Sequence, residues 1–389
     1  MKKTFADMLN DEAAALRRRM EAKLPQWAGV EGLEYPTRLC TEQCSSGATA
    51  IYKASVAAAV VSSRGIKFPH IADLTGGLGV DSWAFGKAGF TVSYNEMNST
   101  LAEAARANFR LIGAENIAVS PDEVTPENIG ELLDERHPDI VYMDPARRSA
   151  SGSKVFRIAD CTPNVLGMKD IILSKVGVLM LKLSPMADIT QVLRELGSGG
   201  SPAGAVTQVH VVGAAGECKE LLVVMESGAE SGEPEIIVAS DGAVMTFRQS
   251  EESDAVPDMS VAPAAGMCLF EPGSALMKSG AFNLISSRFG VSKLGRHAHL
   301  YCGPNVVPDL SAFGKWFTIR EMLPLCKASF RELSASSLRA EVTARGLHLT
   351  SDELRRRLGV TASSADGSVH IFGAATASSG EMVIIADRC

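Results

Sequence analysis

The chain has 389 residues, 46% of them hydrophobic, and a formal net charge of −7. That length predicts two or three domains, each able to bury a core, in an ordinary globular composition. The acidic balance excludes a large, uniformly basic nucleic-acid surface; no apolar run approaches the ~20 residues of a membrane span, and Asp7, Asp11 and Glu12 interrupt what would be a signal peptide's apolar core.

The eight cysteines are scattered without a C-x-x-C pair. Cys40 and Cys44 lie four apart with no second pair at zinc-finger spacing, so reduced thiols, no metal and a cytoplasmic location are expected. Charge is uneven. Residues 227–260 carry eight acids against the single base Arg248, which leaves the remainder near neutral.

Residues 5–24 read as a helix with a polar Arg17-Arg18-Arg19 cluster, either a solvated face or a phosphate contact. Lys23 to Trp27 breaks it. A second helix is expected from Ala48 to about Ser62, capped by Ser45 or Ser46, with Ala48, Ile51, Tyr52 and Val56 on its apolar face.

Ile71 to Asp81, IADLTGGLGVD, predicts a strand, a glycine-rich turn and a helix from Val80 to about Gly89. Gly77 and Gly79 permit positive φ and leave room beside the backbone. Asp73 ends the strand, where open α/β sheets bind ligands. The dinucleotide fingerprint G-x-G-x-x-G fails, because its third glycine would fall at Ser82. The pattern present, acid-x-x-x-Gly-x-Gly with Thr75 in place of a further glycine, resembles the first motif of class I methyltransferases, which bind S-adenosylmethionine. A carboxylate there suits a ligand carrying an ammonium and a sulfonium.

A second strand, Phe90 to Tyr94, leads to Asn95-Glu96, with Glu96 placed 23 residues beyond Asp73 to accept ribose hydroxyls. Asn98 or Ser99 caps a helix to about Ile112. A third strand, Ile117 to Val119, precedes Asp122, which in the methyltransferase pattern meets the adenine amino group or is a turn residue. Thr125-Pro126-Glu127 reads as a helix start.

The fourth strand, Asp139 to Met143, runs into Asp144-Pro145-Ala146-Arg147-Arg148, and a fifth, Val176 to Leu183, into Ser184-Pro185. A helix from about Asp188 to Leu196 follows. The runs from Val206 and from Glu220 have too short a connection for parallel strands and predict a terminal antiparallel hairpin. Five strands with helical crossovers and such a hairpin make the class I methyltransferase plan, an α/β, Rossmann-like, seven-stranded sheet; the dinucleotide fold ends in parallel strands.

Many methyltransferases acting on planar nitrogen carry Asp-Pro-Pro-Tyr after the fourth strand, where carboxylate and carbonyl hold an amino group. By that likeness Asp144 and Pro145 are the expected catalytic pair. Here Ala146 and Arg147 replace the second proline and the aromatic, so the stacking platform for a flipped base is missing. Arg147 and Arg148 are candidates to grip a phosphate or carboxylate, with Lys182 and Ser184 on the opposite wall. Tyr142 and Phe156 are candidate substitutes for the aromatic.

Farther on, Phe282 to Phe289 reads as a helix, and His297 and His299 alternate on an expected strand without the partners a metal needs. From Ala312 the chain reads as a compact α+β module. Its strands are expected at Trp316–Met322, Arg339–Arg345, Val369–Phe372 and Met382–Ile385, and Ser351 caps a helix carrying Arg355 to Arg357, candidate phosphate contacts. Residues 312–389 hold ten bases and eight acids.

The stretches EQCSS (Glu42 to Ser46), DLTGGLGVD, NE, DPARR, KLSP (Lys182 to Pro185), ECKELL (Glu217 to Leu222) and the terminal module resemble those of bacterial S-adenosylmethionine-dependent methyltransferases with a C-terminal THUMP-like domain. The core is similar, more distantly, to trimethylguanosine synthase. The resemblance implies a helical segment over 1–66, a methyltransferase core over 67–230, a ferredoxin-like or linking segment over 231–311 and a THUMP-like domain over 312–389. It implies cofactor contacts from Asp73, Thr75, Gly77, Gly79, Asp81, Glu96, Met97 and Asp122. By analogy with the segment that covers the cofactor in trimethylguanosine synthase, Gln43, Ser45 and Ser46 join them. THUMP domains in other enzymes bind RNA. The expected function is RNA methylation, on a base nitrogen of tRNA, rRNA or a guanine. The alternatives are a methyltransferase of a small molecule or protein, and a non-catalytic RNA-binding protein that kept the fold.

Overall fold

The computed structural model describes residues 5–147, 157–197, 204–362 and 369–389, without the side chains of residues 5–12 and Arg147. The chain divides into two compact units, residues 1–214 with 219–235, and residues 215–218 with 236–389.

In the first unit, seven apolar runs form strands β1 (His70–Asp73), β2 (Thr91–Asn95), β3 (Ile117–Ser120), β4 (Ile140–Met143), β5 (Val178–Leu183), β6 (Gly204–Ala214) and β7 (Glu217–Ser227). Their order across the sheet is β3-β2-β1-β4-β5-β7-β6. Strand β1 is parallel to β2 and β4, β2 to β3 and β4 to β5, while β7 is antiparallel to β5. This is the expected α/β sheet with a terminal hairpin. Strand β4 is buried at every position, as a parallel strand covered on both faces must be. The strand order reverses between β1 and β4, which opens a crevice beyond their carboxyl ends.

The helices of this unit are α1 (Phe5–Lys23), α2 (Arg38–Gln43), α3 (Gly47–Ser63), α4 (Val80–Lys87), α5 (Ser99–Leu111), α6 (Ile129–Arg136), α7 (Val165–Lys175) and α8 (Ile189–Gly197). Ser46 caps α3, its hydroxyl accepting the Thr49 N–H at 3.2 Å. The expected face of α3 is half right: Val56 lies in the core and Tyr52 packs partly buried against it. Ala48 and Ile51 are exposed, and Ala50, Lys53, Ala54, Ala57, Val60 and Val61 face inward. Small side chains at these positions let the backbone approach the core closely, and Lys53 is buried among them because carboxylates meet its ammonium. Helix α6 begins after the expected Thr125-Pro126-Glu127. The Asn128 Oδ1 accepts the Thr125 N–H at 2.8 Å and closes a turn there instead.

In the second unit β8 (Glu235–Ser240) pairs antiparallel with β9 (Ala243–Phe247), and α9 (Gln249–Asp254) follows. Then come β10 (Cys268–Pro272), α10 (Ser274–Ser279), α11 (Leu284–Phe289), β11 (Ser292–Lys293), β12 (Tyr301–Gly303), β13 (Gly314–Pro324), α12 (Lys327–Ala335), β14 (Glu341–Arg345), α13 (Ser351–Leu358), β15 (Val369–Thr376) and β16 (Gly380–Arg388). Strands β10 to β16 form a seven-stranded sheet in the order β11-β12-β10-β13-β16-β15-β14, with β14 and β15 parallel. Its apolar clusters centre on Leu269, Phe317, Phe372 and Ile384, and on Leu333, Leu354, Leu358 and Ile371. His297 and His299 lie in the turn ahead of β12, not on a strand, and His299 takes a φ of 48°. Thr350, not Ser351, caps α13; its hydroxyl accepts the Glu353 N–H while the Glu353 carboxylate accepts the Thr350 N–H.

Among the described residues no helix is long and apolar enough to cross a membrane, and no group of three His, Cys, Asp or Glu side chains is placed to hold a metal ion.

Candidate cofactor and active site

A cavity of about 550 Å³ opens in the crevice of the first unit. Its walls come from α2 (Cys40, Gln43), Cys44 and Ser45 beyond it, the β1 turn (Leu74 to Leu78), the start of α4 (Val80, Asp81), the β2 end (Asn95 to Asn98), the β3 end (Asp122 to Val124) and the β4 end (Asp144, Ala146), with Thr162 and Pro163. Thr162 reaches the wall because Cys161–Thr162 pairs antiparallel with Ala146–Arg147.

The glycine turn is built by sterics and hydrogen bonds. Gly77 and Gly79 have φ of 53° and 83°, the left-handed values predicted for them. Gly76 is fixed by packing, since a Cβ there would stand 2.1 Å from the buried Tyr94 ring. The Tyr94 hydroxyl donates to the Gly77 carbonyl at 2.6 Å, tying β2 to the turn.

Glu96 lines the cavity, and its two oxygens accept the Gly77 and Asn98 N–H groups at 2.9 Å each. A carboxylate has about four acceptor sites, so acceptor capacity remains for ribose hydroxyls. Met97, 58% exposed, stands beside it on the wall. The Asp122 carboxylate is paired with Arg136 at 2.7 Å. Its loop is held by the buried Asn95 amide, which accepts the Asp122 N–H and donates to the Asp122 carbonyl. Asn95, quoted in the sequence only as part of a motif, is thus a structural partner of the site.

Asp73 departs from expectation. It is 1% exposed, lies beneath the turn and does not line the cavity. Its carboxylate accepts the Thr75 N–H at 3.1 Å and the Ser82 hydroxyl at 2.6 Å, so it organises the turn from below. Burial pushes its carboxyl up to about 7, although the Ser82 hydrogen bond works the other way. Asp81, in the first turn of α4, does reach the cavity. Its Oδ2 accepts the Ser45 hydroxyl at 2.9 Å and the Tyr142 hydroxyl at 2.8 Å. Burial opposes its charge, but Lys53 and Lys182 outweigh that, and these hydrogen bonds add to them, holding the carboxyl below the usual range.

Asp144 lies on the cavity wall, its carboxylate receiving the Lys182 ammonium and its own N–H donating to the Thr75 Oγ1 at 2.6 Å. Thr75, standing where many sequences have glycine, therefore joins the glycine turn to the β4 end. Burial works against the charge of Lys182, yet Asp144, Glu220 and Asp81 outweigh it and hold the ammonium above its usual range.

Of the sequence candidates, the cavity brings together Gln43, Ser45, Thr75, Gly77, Asp81, Glu96, Met97, Asp122 and Asp144. Gly79, Ser46, Pro145, Lys182 and Ser184 do not line it: Gly79 and Ser46 cap helices, Pro145 is buried, Lys182 sits behind Asp144, and Ser184 accepts the Met186 N–H. The Arg147 side chain, Arg148 and Phe156 fall outside the described residues. Tyr142 is no stacking platform, because it is 1% exposed with its hydroxyl on Asp81. Lys53 and Glu220 were not singled out. A lysine on an alanine-rich helix reads as solvated, and only the tertiary fold sets it against Glu220, 167 residues away, at 2.6 Å.

A family profile described as a ferredoxin-like domain matches residues 269–310, and one described as THUMP domain-like matches residues 314–388. The chain is similar to the crystal structure of a "putative methyltransferase" from Porphyromonas gingivalis W83, at 30% identity and a TM-score of 0.79, over 97% of this chain and 89% of that one. It is far less similar to precorrin-6y C5,15-methyltransferase from Geobacter metallireducens GS-15 (15% identity, TM-score 0.29, 41% of this chain and 81% of that one). The same holds for magnesium protoporphyrin IX methyltransferase from Synechocystis PCC 6803 (12% identity, TM-score 0.32, 52% and 90%). Those two likenesses are too low to carry an argument. No curated protein matches. On the extent and identity of the Porphyromonas match, the chain belongs to the family of class I S-adenosylmethionine-dependent methyltransferases with a C-terminal THUMP-like domain.

Proposed function

We propose that the cavity binds S-adenosylmethionine and that the protein methylates a nitrogen of an RNA base. The observation that carries this reading is Asp144, clamped between Lys182 and Thr75 and opening on the same cavity as the glycine turn and Glu96. When bound, the cofactor supplies an already activated methyl group. The chain's own residues then have to hold, orient and desolvate. Glu96 accepts hydrogen bonds from a ribose, the Asn95-braced Asp122 loop walls the adenine end, and Gln43 to Ser45 cover the amino-acid end. Asp144 accepts a hydrogen bond from the nucleophile, and its twin anchors fix where that bond points.

Among the described residues, five acids and no Lys, Arg or His line the cavity. Such a wall suits a cationic cofactor and an uncharged, hydrogen-bond-donating nucleophile, and it keeps phosphates outside. The THUMP-like module, with Arg356 and Arg357 exposed on α13, and the Arg17 to Arg19 face of α1 are the proposed RNA contacts. The eight free cysteines suit the reducing cytoplasm.

The test is incubation with methyl-labelled cofactor and separated cellular RNA and protein. Label in RNA is expected. A second reading, a small-molecule or protein substrate, is favoured by the lack of any aromatic side chain on the cavity wall among the described residues. Label confined to protein or small molecules selects it and overturns the RNA assignment.

A further inference from the structure

The first unit carries a second cavity, also of about 550 Å³, which the cofactor reading leaves unused. It is an open groove between α1 and the segment that leads into α2. Ala13, Ala14 and Arg17 stand on one wall, and Leu33, Tyr35 and Arg38 on the other. Both walls are held in place. The amide of Asn108, 0% exposed on α5, accepts the Glu34 N–H at 2.8 Å and donates to the Glu34 carbonyl at 2.9 Å. On the α1 side, the Lys23 ammonium donates to the Thr41 and Glu42 carbonyls at 3.0 and 2.8 Å, and Arg19 meets the Glu42 carboxylate at 2.7 Å. The groove is therefore formed before any ligand arrives, as small-ligand sites usually are.

The Arg17 to Arg19 cluster divides here. Arg19 is engaged by Glu42, and of the three Arg17 alone lines the groove among the described residues. Tyr35 is half-buried, its ring packed against the core. Burial pushes its hydroxyl up, and Arg17 stands close enough to work the other way; Glu21 and Cys44 act with burial but do not line the groove. Among the described residues the walls hold two guanidiniums, one aromatic ring, aliphatic side chains and no carboxylate. Such a surface suits a ligand with a flat, largely apolar body and an anionic group. A nucleotide is one: its base offers a face to a ring, and its phosphate offers oxygens to a guanidinium. In a duplex those faces are covered by the stack, so only an unpaired nucleotide fits.

We infer that this groove binds an unpaired nucleotide of the RNA substrate, its base against Tyr35 and its phosphate on Arg17. The inference rests on the RNA reading given above and narrows the substrate to a single-stranded or extruded segment. Arg38, whose Nε meets Glu42 at 2.9 Å, adds positive charge at the rim. Helix α2 lies between groove and cofactor cavity: Arg38 lines the first, Cys40 and Gln43 the second. At six residues α2 is about 9 Å long, so one strand can occupy both openings. Tyr35 then supplies, outside the cavity, the aromatic surface that the cavity wall lacks.

The experiment is fluorescence anisotropy of a labelled oligouridylate with the full-length protein, unmodified and as Tyr35→Leu, Tyr35→Phe, Arg17→Ala and Phe68→Leu. Tyr35→Leu should bind about tenfold or more weakly, the range of one lost base stack, and Tyr35→Phe, which keeps the ring, should restore binding. Arg17→Ala should weaken binding and lower the salt slope by about one. Phe68, 93% exposed ahead of β1 and outside the groove, is the control, and its variant should bind as the unmodified protein does. Full affinity in Tyr35→Leu or in Arg17→Ala, or an equal loss in Phe68→Leu, overturns the assignment. Uridine monophosphate should compete only weakly; competition as strong as the oligomer's marks a site for free nucleotides and refutes the RNA strand. Should Tyr35→Leu fail to fold, ultraviolet crosslinking of the unmodified protein to thiouridine-containing RNA decides. Adducts are expected on the peptides that hold residues 13–17 and 33–38, and adducts confined to other peptides refute the idea. If the unmodified protein binds no RNA, the RNA reading fails and the groove assignment with it, whereas RNA binding that ignores Tyr35 and Arg17 removes the groove assignment alone.

Discussion

Asp73 should reveal itself through the pH dependence of stability. Burial holds its carboxyl up to about 7 against an ordinary 3.8. Between those values the folded chain keeps a proton that the unfolded chain has released, so stability falls as pH rises through this window. Denaturant unfolding of Asp73→Asn beside the unmodified protein should show a gap that shifts by roughly 3 kcal/mol in favour of the variant between pH 5 and pH 8. Parallel pH curves would contradict it. Asp144→Asn keeps the side chain's shape but weakens its grip on a donor. Methyl transfer should fall about 10²-fold or more while cofactor affinity changes little, as titration beside a turnover assay would show. These acids also mark what a sequence can reveal. Asp73, Glu96 and Asp144 were legible because each ends a strand, but strand position does not say whether a side chain points to the cavity or the interior. Asp81 and Lys53 owe their importance to partners 61 and 167 residues distant, which spacing along the chain cannot show.

The turn after β1 and helix α3 are the elements that carry the site. Gly76→Ala would push a Cβ into the Tyr94 ring, a buried aromatic with its hydroxyl already bound. A loss of about 1–3 kcal/mol in stability is expected, with a matching loss of cofactor affinity. Lys53→Ala would leave Glu220 and Asp81 facing each other without their cation; thermal or denaturant unfolding should register about 3–5 kcal/mol. The exposed Ile51, on the same helix, should tolerate Ile51→Ala with a change near zero. Elements bounded by strong signals were read correctly: the parallel strands by their apolar runs, the hairpin by its short connection. The inward face of α3 is only half legible, with Val56 and Tyr52 inside but Ala48 and Ile51 outside, because alanines give no periodic contrast and a lysine normally marks the solvent side. The start of α6 was misread because an Asn128 side chain outcompeted the proline for control of the turn.

Charge is divided unequally along the chain, and binding should show it. The net charge is −7, yet residues 312–389 carry ten bases against eight acids. If RNA is gripped through phosphates, fluorescence anisotropy with labelled RNA should show affinity falling steeply with salt, and Arg356→Glu with Arg357→Glu should weaken binding and flatten that slope. Affinity indifferent to salt would contradict it. The most direct measurement of the central claim is calorimetric titration of the full-length protein with S-adenosylmethionine, unmodified and as Glu96→Ala. One molecule per chain is expected, with affinity at least about tenfold weaker in the variant. No binding to the unmodified protein, or binding that Glu96→Ala leaves untouched, would contradict the account.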